Sequence, residues 1–228
     1  MTSTYRDMTG VLALECITPV IKALFGSYSL DDTYPGIGKG KVFVACIAES
    51  SDVTWSSMLD RLRDLAAQRQ VTLGEGEEEG VEEYLYALAA HFGAGRDGFL
   101  NAVIENIDLA GNADLEVLFD LAIGFDDGHG LKSNATEAAW HCDRPRLGEF
   151  GGYGEFCGRH AFVGLSSSDA VILGGALDSA LEAGDIDQAA KCILDKVEIF
   201  LSGIADAGAQ DAVRKTLCDQ LMAGADLF

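Results

Sequence analysis

Positive charge is scarce in this chain. Its 228 residues hold 16 lysines and arginines against 37 aspartates and glutamates, a formal charge of −21. Such a balance repels phosphate backbones and anionic headgroups. It excludes the usual basic nucleic-acid binder and argues against peripheral docking on acidic membranes. Long apolar runs are missing too. The stretch from Val11 onward is broken by Glu15, Pro19 and Lys22, which makes it too short and too polar for a signal peptide or a spanning helix. None of the six cysteines, at 16, 46, 142, 157, 192 and 218, forms a CxxC pair. Four sit in apolar surroundings, a pattern that predicts reduced, mostly buried thiols rather than a disulfide framework. The expected compartment is therefore the cytoplasm. The glycines of SLDDTYPGIGKGK do not make a phosphate loop, because GxxxxGK[ST] is absent and a strand follows where a helix should.

What is present reads as a folded globular chain. A hydrophobic share of 48% with 23% charged residues is too apolar for disorder, and the length suffices for a sizeable core. Apolar runs at 11–17 and 42–48 predict strands. Thr18-Pro19 opens a short helix that Gly26 closes. Helical stripes follow: Trp55 to Ala66, Val81 to Phe92, Leu100 to Ile107, and Leu115 to Ala122. Segments 137–143 and 148–165 read as extended. Ser166 to Asp169 caps a further helix ending at Gly184, Ile186 to Ile204 carries the longest clean stripe, and Val213 to Leu221 closes. The expected fold is α+β: about seven helices around a small, mainly antiparallel sheet, in one domain spanning 1–228.

Chemistry concentrates between Phe125 and His160 (FDDGHG…WHCDRPRLGEFGGYGEFCGRH), which holds three of the four histidines and two cysteines. His141, Cys157 and His160 have the ligand chemistry of zinc, and Cys157-x-x-His160 allows a knuckle. Neighbouring strand residues point to opposite faces, however, so unligated cysteines and hydrogen-bonded histidines are the favoured state. A nucleophilic Cys142 or Cys157 would need a histidine base and a depressed thiol pKa. Arg144, Arg146 and Arg159 form a local basic patch suited to an anion, or to pairing with Glu137, Asp143, Glu149 and Glu155. Tyr153 adds a polar ring to the same ligand-binding face.

Glu149 and Glu155 are a candidate acid–base pair for a glycosidic bond. In a straight strand they stand roughly 20 Å apart; a hairpin at Gly151-Gly152 would bring them face to face. The straight reading sets Glu149, Tyr153, Glu155, Cys157 and Arg159 on one face, looking at solvent or ligand. Phe150, Phe156, His160 and Phe162 then fall on the other face, the expected core. The Asp126-Asp127-Gly128-His129-Gly130 loop reads as a helix end with a glycine turn rather than a calcium loop. Two function classes follow. One is a non-catalytic accessory protein that binds another protein, basic in character, as an inhibitor, immunity protein or nucleic-acid mimic. The other is a small hydrolase or transferase, zinc-assisted or not, using His129, His141, Glu149, Glu155 and Arg159 within 126–160. The acidity is an observed extreme and no catalytic set is complete, which tips the reading toward the first.

Overall fold

The computed structural model of the chain describes residues 4–48, 53–74, 79–144, 146 and 148–225. Contacts divide the chain into two compact units, Met1–Phe150 and Gly151–Phe228. In the first, β1 (Thr4–Ala13) lies between β3 (Lys41–Ala48) and β4 (Ser133–Cys142), antiparallel to both, and a short β2 (Ser29–Asp31) pairs with β3. Met8 aligns with Cys46 on one side and Ala138 on the other; Leu12 aligns with Val42 and Asn134. Because side chains alternate across a strand, this register buries Met8, Leu12, Val42, Val44 and Ala138 together. Asp7, Thr9, Glu137 and His141 are left exposed on the opposite face.

Five helices complete this unit: α1 (Pro19–Phe25), α2 (Trp55–Gln68), α3 (Val81–His91), α4 (Gly98–Glu105) and α5 (Leu115–Gly124). Their starts follow the capping rule. Thr18 accepts from Ile21 N–H, Thr54 from Ser57 N–H, and Asp97 from the N–H groups of Phe99 and Leu100, each satisfying donors that the helix leaves open. The buried stripes Trp55, Met58, Leu62, Leu65 on α2 and Tyr84, Leu85, Leu88, Ala89 on α3 meet at the helix contact.

The second unit is a hairpin of β5 (Gly151–Gly158) and β6 (Phe162–Ser166), followed by α6 (Ser167–Glu182), α7 (Ile186–Ser202) and α8 (Ala207–Ala225). Ser166 and Asp169 form a complete capping box at the start of α6. Asp169 also receives Lys196 of α7 at 2.5 Å. That hydrogen bond, ahead of those from Ser166, holds the Asp169 carboxyl far below the usual carboxylate range. Gly184, at φ +71°, makes the tight turn between α6 and α7, a conformation that favours glycine. Arg214 ties α8 to α7 through Glu198 at 2.8 Å.

The α+β, helix-rich class stands, with eight helices among the described residues and antiparallel strands. Three local expectations shift. The first strand runs over 4–13 instead of 11–17, because Leu14 N–H turns to Gly40 and Glu15 N–H to the His129 carbonyl, taking the chain out of the ladder. The loop after α1 contains β2, too short and polar to show an alternation. The extended 148–165 segment is a hairpin whose turn falls after Gly158.

Candidate functional site

His129 sits in the loop between α5 and β4 and is fully buried. Leu131 N–H donates to its Nδ1 at 2.9 Å, so that nitrogen carries no proton, and Nε2 donates to the Ala122 carbonyl at 2.9 Å. The His129 carbonyl in turn accepts from Glu15 N–H at 2.8 Å. With both ring nitrogens committed to backbone and no solvent contact, this histidine pins the entry to β4. His141 lies at the far end of that strand, roughly 26 Å along it, exposed and stacked on Tyr5 with ring centroids 5.0 Å apart. The two histidines do not share a reaction centre.

Beyond β4 the first unit carries a small polar cluster. Cys142 is 4% exposed and its thiol donates to Asp143 Oδ1 at 3.4 Å. A hydrogen bond to the Glu149 carboxylate pushes this thiol above its ordinary pKa, with burial and Asp143 adding and the Arg144 backbone N–H opposing. A nucleophilic cysteine needs the opposite shift. Arg146 stands 3.7 Å from Glu149, both partly exposed, a pair of little energetic worth. Arg144 is exposed.

The second unit holds the remaining candidates. Gly151 and Gly152 begin β5 instead of forming a hairpin turn, so the fold that would set Glu149 opposite Glu155 is not made there. The face assignment also inverts. Phe156 is 43% exposed while Cys157 is 3% exposed, so the polar face of β5 is the inner one. The pairing register explains this: Cys157 aligns with Phe162 and Phe156 with Val163. The turn flips strand parity and carries Phe162 to the side of Cys157. Cys157 Sγ donates to Glu155 Oε1 at 3.3 Å, and Tyr153 aligns with Ser166. Arg159 and His160 are exposed in the turn, where the His160 carbonyl accepts from Ala205 N–H at 3.1 Å. Among the described residues no group of three or more His, Cys, Asp or Glu side chains is arranged to hold a metal ion. No disulfide joins any of the six cysteines.

Two buried polar features escaped the sequence. Asp127, its side chain 1% exposed, pairs with Arg69 Nη2 at the end of α2 and accepts from Val20 N–H at 3.3 Å. Arg69 also lies 5.6 Å from the Phe92 ring centroid. Asp126 beside Asp127 accepts from Gly128 N–H at 3.0 Å, and its Oδ1 stands 3.8 Å from His129 Nε2. Asn134 and Thr136 are buried on the inner face of β4 with their side-chain polar atoms unpartnered, a cost that a core seldom tolerates. No sequence spacing flags either feature, since the Arg69–Asp127 partners are 58 residues apart.

No helix among the described residues is long and apolar enough to cross a membrane. Comparison with protein-family models, with curated proteins and with solved structures finds no match to this chain.

Proposed function

We propose that this is a non-catalytic accessory protein that works by binding another polypeptide, in the cytoplasm, where its cysteines stay reduced. One observation carries the reading. Of the eighteen large apolar side chains that stand exposed among the described residues, fourteen belong to residues 156–222. So high a share of exposed large apolar side chains in one unit supports an interaction surface there, whereas scattered single exposures are ordinary. The chemistry-bearing residues point the same way. His129 is consumed by backbone, the Cys142 thiol is disfavoured as a thiolate, and Glu155 and Cys157 bond to each other. The net charge of −21 keeps such an apolar surface soluble and suits a basic region elsewhere on the partner.

Photo-crosslinking in intact cells tests the reading. A crosslinking residue at position 193 or 171, both more than half exposed, should yield discrete covalent adducts. The same residue at Asp64, exposed on α2, should yield none. Equal and negligible yields at all three positions would remove the interaction reading.

A further inference from the structure

The acidity of this chain is unevenly spread. Between Arg69 and Lys132 the sequence has fourteen aspartates and glutamates and one basic residue, Arg96. Charge that serves solubility alone is as well served by mixed signs, whereas a field of one sign draws in its opposite. Helices α3 and α4 lie in this stretch and pack together. Between α3 and the segment after α2 opens a cleft of about 340 Å³, lined by Thr72, Gly74, Glu83, Tyr86 and Ala87. Its size is at the small end of ligand pockets, which span roughly 300–1,000 Å³. Glu83 Oε2 stands where a Cβ on residue 80 would fall, a place that Gly80 leaves open. Burial, and then the carboxylates of Glu105 and Glu82, push the Tyr86 hydroxyl above its ordinary pKa. Acids from two helices thus bear on the one ring in the cleft.

Local structure explains two of the three carboxylates. Glu82 and Glu83 occupy the first turn of α3, where the helix macrodipole favours anions. Glu105 ends α4, where the same dipole opposes it. Among the described residues no lysine or arginine pairs with Glu82, Glu83 or Glu105. Arg63 of α2 is held by Asp60 at 2.8 Å and by Glu79 at 2.9 Å. The free chain therefore keeps like charges together with no cation between them, which costs it stability.

We infer that this cleft receives a lysine or arginine side chain from the basic region of the partner. The inference rests on the interaction reading above and assigns one of its contacts. Charge complementarity carries it. Three unpaired carboxylates and a ring face suit an organic cation, whose stem lies against Ala87 and Tyr86 while its charge meets Glu82, Glu83 and Glu105. A bare metal ion is the poorer fit, since no group of three or more His, Cys, Asp or Glu side chains among the described residues is arranged to hold one. Glu105 acquires a purpose in the same step. The repulsion that it adds to the free chain is relieved on binding, an exchange of stability for function.

Fluorescence anisotropy of a labelled oligoarginine peptide with the full chain tests the cleft, an oligocitrulline peptide serving as the uncharged control. The expected result is binding at about 0.05 M salt that weakens steeply by about 0.5 M, with none for the citrulline peptide. Glu82→Gln with Glu105→Gln should weaken binding about tenfold or more, and Tyr86→Leu several-fold with no change of charge. Asp178→Asn with Glu182→Gln, an equal change of charge at exposed positions of the second unit, should weaken it by no more than about twofold. Glu105→Gln alone should raise the melting temperature of the free chain, and the melts also establish that each variant folds. Equal losses from the two double variants, or parent-like binding by Tyr86→Leu, would overturn the cleft and assign the attraction to the overall charge. No binding at low salt, or a lower melting temperature for Glu105→Gln, would overturn it too. Discrete crosslinked adducts at positions 171 and 193 keep the interaction reading standing when the cleft fails, and the loss of both removes both.

Discussion

The two units of this chain use similar residue types and bury them to opposite degrees. The first packs Leu12, Leu24, Phe25, Trp55, Met58, Leu62, Leu85 and Phe125 to 1% exposure or less. In the second, the buried apolar side chains among the described residues are Cys157, Ala180, Ala189 and Leu201, of which one is large. A core supplies stability in proportion to the apolar surface it takes from water. The first unit therefore has the means to stand as a fold on its own terms, and the second leaves many of its large apolar side chains at the surface. Amphipathic patterning records that a face wants cover. It does not record which molecule provides it.

That contrast can be broken most directly in the first unit. Trp55→Ala should cost about 4 kcal/mol, since a fully enclosed indole leaves both lost transfer energy and a cavity; a urea melt losing less than about 1 kcal/mol would show the core to be looser than its burial implies. The next effect down belongs to the buried ion pair. Asp127→Ala removes the partner of Arg69 and of Val20 N–H, and should cost about 3 kcal/mol because Arg69 is left poorly solvated. Melting within a degree or two of the parent would mean that water replaces the carboxylate without penalty.

A third test sharpens the same comparison through pH. Burial, and then the Glu116 carboxylate one turn away, push the Asp120 carboxyl up to about 6. A folded pKa above the unfolded one gives stability that is present below about pH 4 and lost as pH rises through about 6. Asp120→Asn should therefore stabilise the chain by about 2 kcal/mol at pH 7 and by little at pH 4. An equal gain at both pH values would trace the effect to something other than ionisation. The smallest effect is expected in the second unit. Ile186→Ser should change stability by no more than about 0.5 kcal/mol. A loss near that of a core residue would show that Ile186, 66% exposed, nonetheless carries part of the stability of this unit.

Much of the helical half was legible, because its signals are local. Thr18-Pro19, Ser166 to Asp169 and Gly184 each act within one turn of the backbone they terminate, and they predict it well. Strand faces were harder. The inversion of Phe156 and Cys157 follows from a turn placed after Gly158 instead of at Gly151-Gly152, and a shift of one residue in parity moves every side chain to the other face. The candidate site was least legible. His129 looked chemical because histidine is chemical, yet its partners are the Ala122 carbonyl and the Leu131 N–H, which no side-chain motif encodes. Helix α7 gave the reverse lesson: its stripe predicts a core position throughout, yet Ile186, Ile193 and Leu194 are exposed while Leu201 on the same face is buried.

The placement of β1 between β3 and β4 has a consequence for how the protein is made. Thr9 aligns with Ala45 on one side, about three dozen residues later in the chain, and with Glu137 on the other. Translation at roughly 5–20 residues per second separates the arrival of those two neighbours by on the order of ten seconds. Through that interval a nascent β1–β3 pair presents a row of unsatisfied amides and carbonyls along β1, the kind of edge that recruits other strands. Asp7 on that strand is exposed, and a charge there works as a gatekeeper against premature pairing. Synthesis speed, as well as composition, thus bears on the yield of soluble protein, and slow codons between positions 48 and 133 would lengthen the exposure.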